Sequence, residues 1–579
     1  MRFSRTVYQV HEKWLYTVTV MFAFVLFNSA FCEVRVKIAK GILKGRILKS
    51  RGGRPYYSFT SVPYAKPPVG ELRFEAPEPV DPWNGTLDAT GTANACVQKS
   101  EMYGNEDCLY LNVYTPNVTD DQKFPVMFWI HGGGFSMGHG SPEMFGPDYF
   151  MDKNVVLISI NYRLGVLGLL SAEDEVIPGN YGMKDQVMAL RWVSENVANF
   201  GGDSGRVTIF GGSSGAVNVG YHMLSPMSKG LFHKAILQSG TPSCLWSTSL
   251  PGVSRERSKI VAKLAGCARN TSRDVLQCLK TIPAGFFADV HEKLWEWRTF
   301  PTILFSPVVE RCDSGRQAFL CHHQLYDFRQ ESFVPAIIGL NSAEGGMKVV
   351  ALYNDTSLLY PEFRTNFNHL MSIIMAYRNF TLNLNEIGRR IFEKYYPSGR
   401  MEDDSHFQTL QMITDGSYLH GILGTAFKLS SPVYFYLYNY QNEYSFNTLF
   451  GKCTRKLGVT HGDELTSLFK LNAINPRELN SMDTAVSKLM VDIWTKFATS
   501  EIPTVDGTEN GFPWPAFNSD AQKREILHID SERPSIMENP FEEKYKFWND
   551  LPMLSNLNKI MFENVLAFEH HNNFAKEEL

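Results

Sequence analysis

The chain has 579 residues, 44% of them hydrophobic and 20% charged, which suits a large buried core and not a disordered chain. Its formal net charge of −4 leaves no basic excess to attract nucleic acid or an acidic membrane surface. No low-complexity tract and no repeat of about 20–50 residues stands out.

Arg2, Arg5 and Lys13 precede an apolar run from Trp14 to Phe27, and small or compact residues follow up to Cys32. This order predicts a secretory signal peptide over residues 1–32, cleaved near Cys32. The run is shorter than the roughly 20 residues that a full span prefers, so an uncleaved anchor is the alternative. No other stretch is long and apolar enough to span a bilayer. Length alone would suggest several domains, but there is no clean linker, and residues 33–579 are expected to form one.

Residues 34–48 alternate apolar and basic around Gly41, which predicts a hairpin. The proline-rich segment 63–80 is expected as extended loop. Five sequons begin at Asn84, Asn117, Asn270, Asn354 and Asn379. Behind a signal peptide they suit a glycoprotein, in a compartment that permits disulfides. Without Cys32, eight cysteines remain: 96, 108, 244, 267, 278, 312, 321 and 453. The short-range pairs 96–108 and 267–278 are geometrically easy, but sequence does not determine connectivity.

Strand-like runs follow at Val126–Ile130, Val155–Ile160, Val207–Phe210, Ala235–Leu237, Ala336–Leu340 and Val433–Tyr440. Helical patterns lie between several of them, most clearly over Met183–Val197 with Val187, Leu190, Val193 and Val197 at helical spacing. Such alternation predicts an open, mostly parallel sheet covered on both faces, with ligands bound beyond the carboxyl ends of its strands. Regions 250–330 and 355–430, richer in helical and irregular sequence, are expected as insertions over that end.

The run Val126–Ile130 leads directly into His131-Gly132-Gly133-Gly134-Phe135. Three glycines in a row free several N–H groups to converge on one point, as an oxyanion requires. Gly133 and Gly134 are therefore expected as donors, with the N–H of Ser214 as the third. The run Val207–Phe210 enters Gly211-Gly212-Ser213-Ser214-Gly215, the G-x-S-x-G pattern of a nucleophile elbow. Only Ser213 has glycine at both −2 and +2, where a side chain would collide with the adjoining strand and helix.

A nucleophilic serine needs a base and a group to orient it. Glu344 follows the run Ala336–Leu340 and precedes two glycines, on a tight turn at the sheet's carboxyl edge. Seven histidines come after it. His461, in Gly458-Val-Thr-His461-Gly462, is the one set in a glycine-punctuated loop, and a structural surface histidine is its alternative reading. The chain ends Lys576-Glu577-Glu578-Leu579, one conservative change from a luminal retrieval signal, so residence in the endoplasmic reticulum lumen through a retrieval receptor and secretion are both open.

Taken together, PYAKPPVGELRF (63–74), EDCLYLNVYTP (106–116), HGGGF, INYRLGVLG (160–168), GNYGMKDQVMALRWV (179–193), the segment 199–216, SKGLFHKAILQSG (228–240) and GVTHGDEL (458–465) resemble the type-B carboxylesterase/cholinesterase family. HGDEL and SKGLFH are similar to arthropod esterases. The resemblance implies an α/β-hydrolase fold with a gorge over the site, and a cofactor-free, metal-free carboxylic ester hydrolase acting through an acyl-enzyme on small esters. It implies Ser213 as nucleophile, Glu344 as acid and His461 as base. It also implies disulfides Cys96–Cys108 and Cys267–Cys278, an Arg73–Glu106 ion pair, Trp246 as an acyl-pocket wall and Cys244 at a position that can hold a buried free thiol.

Three departures stand out. Residue 212 is Gly where the family usually carries Glu, and residue 214 is Ser where it usually carries Ala. The loop between Cys96 and Cys108 is short and lacks the choline-binding tryptophan of cholinesterases. These disfavour a choline ester and favour a neutral one. A cholinesterase, and a non-catalytic adhesion or binding relative, are the alternatives, although all three triad residues are present.

Overall fold

The apolar runs form strands because both faces of the sheet are covered. The structure, a computed structural model, describes residues 33–553 apart from 100–103, 120, 313–316, 322–333, 354–358, 382, 403, 447–456, 474–476, 501, 506–511 and 518–522. The expected signal segment 1–32, the tail 576–579, Asn354 and Cys453 therefore lie outside the described residues.

The first hairpin is β1 (Val34–Ile38) and β2 (Gly41–Lys49), which pair antiparallel with Ile38 opposite Gly41. Val34, Val36 and Ile38 point inward while Arg35 and Lys37 point out, the alternation of a half-buried strand. β3 (Pro55–Pro63) follows β2 antiparallel, and the short β4 (Thr86–Asp88) runs beside β2. β5 (Tyr110–Thr115) links β3 to the parallel centre.

That centre is built from β6 (Phe124–Ile130), β7 (Val156–Ile160), β8 (Gly202–Gly212), β9 (Lys234–Gln238), β10 (Ala336–Asn341) and β11 (Val433–Tyr438). A separate small pair, β12 (Thr504–Val505) and β13 (Phe512–Pro513), precedes β14 (Glu525–Ile529) and β15 (Ser535–Glu538). Among the described residues the main sheet has thirteen strands, ordered β1-β2-β3-β5-β7-β6-β8-β9-β10-β11-β14-β15 with β4 beside β2. From β7 to β14 every neighbouring pair is parallel.

Successive residues of the central strands feed opposite cores. Phe128, Ile130, Ile158, Ile209 and Ile338 lie in one cluster with Val187 and Leu190 of helix Tyr181–Asn196 and Val217 of helix Ser214–Leu224. Met127, Trp129, Leu157, Phe210 and Ile337 lie in the other with Met490, Ile493 and Trp494 of helix Ser481–Thr499. The predicted helix over 183–197 thus begins two residues earlier and gives way to a 3₁₀ turn at Val197. The insertions after β9 and β10 are mainly helical. Helices Gly346–Tyr353, Phe367–Ile374, Leu384–Tyr395 and His406–Ile413 pack a third cluster around Val349, Leu370, Ile391 and Ile413.

The segment 63–80 departs from the expected plain loop. It contains a 3₁₀ turn at Gly70–Leu72, and Ala65 bridges to Pro79. Val69 N and Leu72 N both find carbonyl acceptors within the segment.

Candidate active site

Ser213 sits between β8 and helix Ser214–Leu224 at φ 58°, ψ −126°. This is an unfavourable backbone state for a non-glycine residue, held by its surroundings. Its N–H donates to the Gln238 carbonyl at the end of β9, 2.8 Å away. A Cβ at Gly215 would lie 2.1 Å from the Ile130 carbonyl oxygen, and one at Gly211 would lie 2.6 Å from the Gly215 carbonyl. Both flanking glycines are therefore sterically required. Gly212 differs, because its Cβ would meet only Trp129 and Leu465 at 3.5–3.7 Å, ordinary contact distance. Crowding at Cβ does not account for the missing carboxylate there.

The glycine loop lies directly on this elbow. A Cβ at Gly132 would be 2.6 Å from the Gly212 carbonyl oxygen and 3.0 Å from the Ser213 Cβ. Gly133 and Gly134 follow with φ of 117° and 60°, in the region that favours glycine, and the Gly133 carbonyl accepts from the N–H groups of Ser136 and Met137, each at 3.1 Å. The Phe135 N–H donates to Ser214 Oγ at 3.2 Å, so the serine at 214 ties the loop to the helix while its own N–H stays available at the helix start. Burial pulls the His131 imidazole down to about 3, so it is neutral, and its Nδ1–H donates to the Gly132 carbonyl at 2.7 Å.

Glu344 comes three residues after β10 and is fully buried. One carboxylate oxygen accepts the Asn341 N–H at 2.7 Å, and the other lies 2.5 Å from His461 Nδ1. The two loops that carry them are tied by Ala343 N–H to the Val459 carbonyl and by Asn341 Nδ2 to the Thr460 carbonyl, each at 2.8 Å. Asp463 closes the histidine turn by accepting from the Thr460 N–H at 2.6 Å. Burial alone would lower the His461 imidazole. The Glu344 charge and hydrogen bond outweigh it, and the imidazole is held above the ordinary histidine value. A carboxylate facing Nδ1 keeps the proton on that nitrogen and leaves a lone pair on Nε2.

Aromatic side chains connect the serine to the histidine. A Cβ at Gly240 would lie 2.4 Å from the Ser213 carbonyl oxygen and 3.2 Å from the Trp246 ring. Trp246 is buried between Phe135 and Tyr418, with ring centres at 6.5 and 5.8 Å, and its indole N–H donates to the Ser417 carbonyl at 2.7 Å. The Tyr418 ring in turn sits 4.9 Å from that of His461. Ser213, Trp246, Tyr418 and His461 therefore share one neighbourhood beyond the carboxyl ends of β8, β10 and β11.

Sequence reasoning passed over several members of this neighbourhood. Glu464 is buried beside the pair, accepting from Gln238 Nε2 at 3.2 Å and from Asn341 Nδ2. Burial and then the Glu344 charge push its carboxyl up to about 7. Lys348 and Tyr418 also lie here, with no motif in the sequence to mark them. The available signals were a glutamate three positions after the histidine and a lone lysine in the apolar run GMKVVALY.

The scaffold features are in place. Arg73 pairs with Glu106 through two 2.6 Å contacts, and its third nitrogen donates to the carbonyls of Leu279, Lys280 and Ile282. Disulfides join Cys96 to Cys108 and Cys267 to Cys278, and a third, left open by the sequence, joins Cys312 to Cys321. Cys244 is buried and free. Asn84, Asn270 and Asn379 are exposed and Asn117 is half-buried. Among the described residues no group of three His, Cys, Asp or Glu side chains is placed to hold a metal ion, and no helix is long and apolar enough to cross a membrane.

A strained serine elbow at the end of a central parallel strand, a glycine loop upstream and a carboxylate–histidine pair downstream define an α/β-hydrolase. The carboxylesterase family profile matches residues 33–548. Juvenile hormone esterase of Tribolium castaneum is 36% identical over 483 residues, covering 79% of this chain and 82% of that protein. Esterase FE4 of Myzus persicae is 36% identical over 505 residues, covering 84% and 87%. The structure is similar to juvenile hormone esterase from Manduca sexta with OTFP covalently attached, with a TM-score of 0.80, 28% identity, and coverage of 89% of this chain and 99% of that one. The chain belongs to the carboxylesterase family and is a carboxylic ester hydrolase.

Proposed function

We propose that Ser213, His461 and Glu344 form the catalytic triad of an esterase acting on neutral carboxyl esters through an acyl-enzyme. The observation that carries this reading is the 2.5 Å contact of Glu344 with His461 Nδ1, which leaves Nε2 able to accept a proton. Ser213 Oγ attacks the ester carbonyl carbon while His461 Nε2 takes its proton. The carbonyl π electrons move to oxygen, and the oxyanion is held by the N–H groups of Gly133, Gly134 and Ser214. On collapse the C–O bond to the alcohol breaks and the imidazolium returns its proton to the leaving alkoxide. Water then attacks the acyl-enzyme with His461 again as base, releasing the acid and Ser213. Glu344 keeps its negative charge throughout and stabilises the imidazolium.

Trp246, with Phe135 and Tyr418, supplies an aromatic wall suited to an apolar acyl group. Gly212 leaves no carboxylate beside the serine to attract a cationic substrate. The short disulfide loops suit an oxidising compartment, so the reading includes entry to the secretory pathway through the 1–32 segment and glycosylation at the sequons, with residues 33–579 as one domain. In the test, Ser213→Ala reduces hydrolysis of a short p-nitrophenyl ester to near background and abolishes labelling by a fluorophosphonate probe. Substantial turnover by that variant would remove Ser213 from the mechanism.

A further inference from the structure

Lys348 is only 4% exposed, and no carboxylate pairs with it among the described residues. It lies on helix Gly346–Tyr353, four residues after Glu344. Its Nζ donates to the Ile374 carbonyl at 2.7 Å and to Ser417 Oγ at 3.3 Å, and stands 6.0 Å from the centre of the Tyr418 ring. Withdrawing an ammonium from water is costly, and an apolar side chain of the same length would fill the space without that cost.

The group it grips is Thr414–Leu419, a π-helical turn. Such turns are uncommon and often occur at functional sites. This one makes three connections to the active site. Thr414 Oγ1 accepts the Gly345 N–H, next to Glu344, at 3.0 Å. The Ser417 carbonyl accepts the Trp246 indole N–H at 2.7 Å. The Tyr418 ring packs on His461. We propose that Lys348 is a positioning residue for the ester hydrolysis: by holding Ser417 and Tyr418 it sets the plane of the His461 ring and the place of the Trp246 wall.

Its charge acts on the same ring. His461 is raised by Glu344 and Glu464, and Lys348 works against them. The buried free thiol of Cys244 is kept protonated by burial, which pushes it up to about 12, and does not neutralise Lys348. Asp415, the acid within the π turn, is occupied by Lys544 and by the Tyr395 hydroxyl, each at 2.9 Å, and does not neutralise Lys348. Burial draws the Lys348 ammonium down to about 7, so its charge responds to pH in the working range.

The proposal rests on the triad reading, and its test separates the two. Active sites are first counted by fluorophosphonate labelling, and kcat and kcat/KM for a p-nitrophenyl ester are then followed against pH. K348M, which keeps the volume and removes the charge, is expected to lower kcat roughly ten- to a hundredfold, with KM changing less. Its acid limb moves to higher pH, and K348R, whose cation does not titrate, brings that limb back to the parent's position or below it. S417A keeps the cation and loses one of its anchors, so kcat falls while the limb stays. K348M with the parent's kcat and pH profile overturns the proposal. Should K348M not fold, a parent-like kcat in S417A, or an acid limb displaced to higher pH in K348R, overturns it equally. A parent enzyme that fails to label overturns the triad and this proposal together.

Discussion

His461 is held in one tautomer by a carboxylate 2.5 Å away, and this makes the pH dependence predictable in sign. In the proposed triad the base works only when Nε2 is unprotonated, so turnover is expected to fall as pH drops through the imidazole's pKa. Burial favours the neutral ring, but Glu344 outweighs burial and raises the pKa. The acid limb of kcat/KM is therefore expected above about 6.5, the ordinary histidine value. Glu344→Gln leaves burial without its counterweight, so the limb should move down while kcat falls roughly 10⁴-fold. A rate profile for both proteins over about pH 5 to 9 checks this, and an upward shift in the variant would contradict it. At this scale the sequence revealed the residues whose neighbours are sterically dictated. Ser213 could be distinguished from Ser214 because Gly211 and Gly215 have no room for a Cβ. Lys348, Ser417, Tyr418 and Glu464 carry at most weak local signals because their roles depend on partners far along the chain. Lys348 and Ser417 are 69 positions apart, and Gln238 and Glu464 are 226 apart.

Among the elements, the Arg73–Glu106 pair has the widest reach. It joins the proline-rich segment to the stretch before β5, and through three carbonyls to the end of helix Ser272–Lys280. Both side chains are about nine-tenths buried, so deleting the arginine strands a carboxylate away from water. Arg73→Ala is expected to lower unfolding stability by about 3–5 kcal/mol, measured in urea, while rate per folded molecule changes little. A loss under about 1 kcal/mol would mean that Glu106 finds other partners or water. Lysine should restore only part, having no planar fork to match the carboxylate. The central strands were legible because covering on both faces makes them unbroken apolar runs, as in Val126–Ile130. β3, reading PYYSFTSVP, and β5, reading YLNVYT, carry polar and proline residues, and only their pairing with each other and with β2 and β7 identifies them as strands.

For the molecule as a whole, residues 576–579 offer a test of whether the protein is retrieved to the endoplasmic reticulum or secreted. Removing them should increase the amount of esterase in the medium if they act as a retrieval signal, and an unchanged amount would rule that out. The fold class and the order of the site motifs were legible along the whole length, but the Cys312–Cys321 link was not, since spacing alone leaves several partners open. The strand order has a further consequence for a chain made from its N-terminus. From β8 outward the sheet is laid down in the order of synthesis, β8, β9, β10, β11, β14, β15, each new strand joining the edge left by the one before. Ser213 emerges with β8, while the histidine loop follows only after β11. On the proposed triad, a nascent chain displays its serine long before its base and is expected to be inert toward esters until the histidine loop is made. Over the same interval β9 and then β10 are open strand edges, the points at which a ribosome-bound chain most needs protection from pairing with a neighbour.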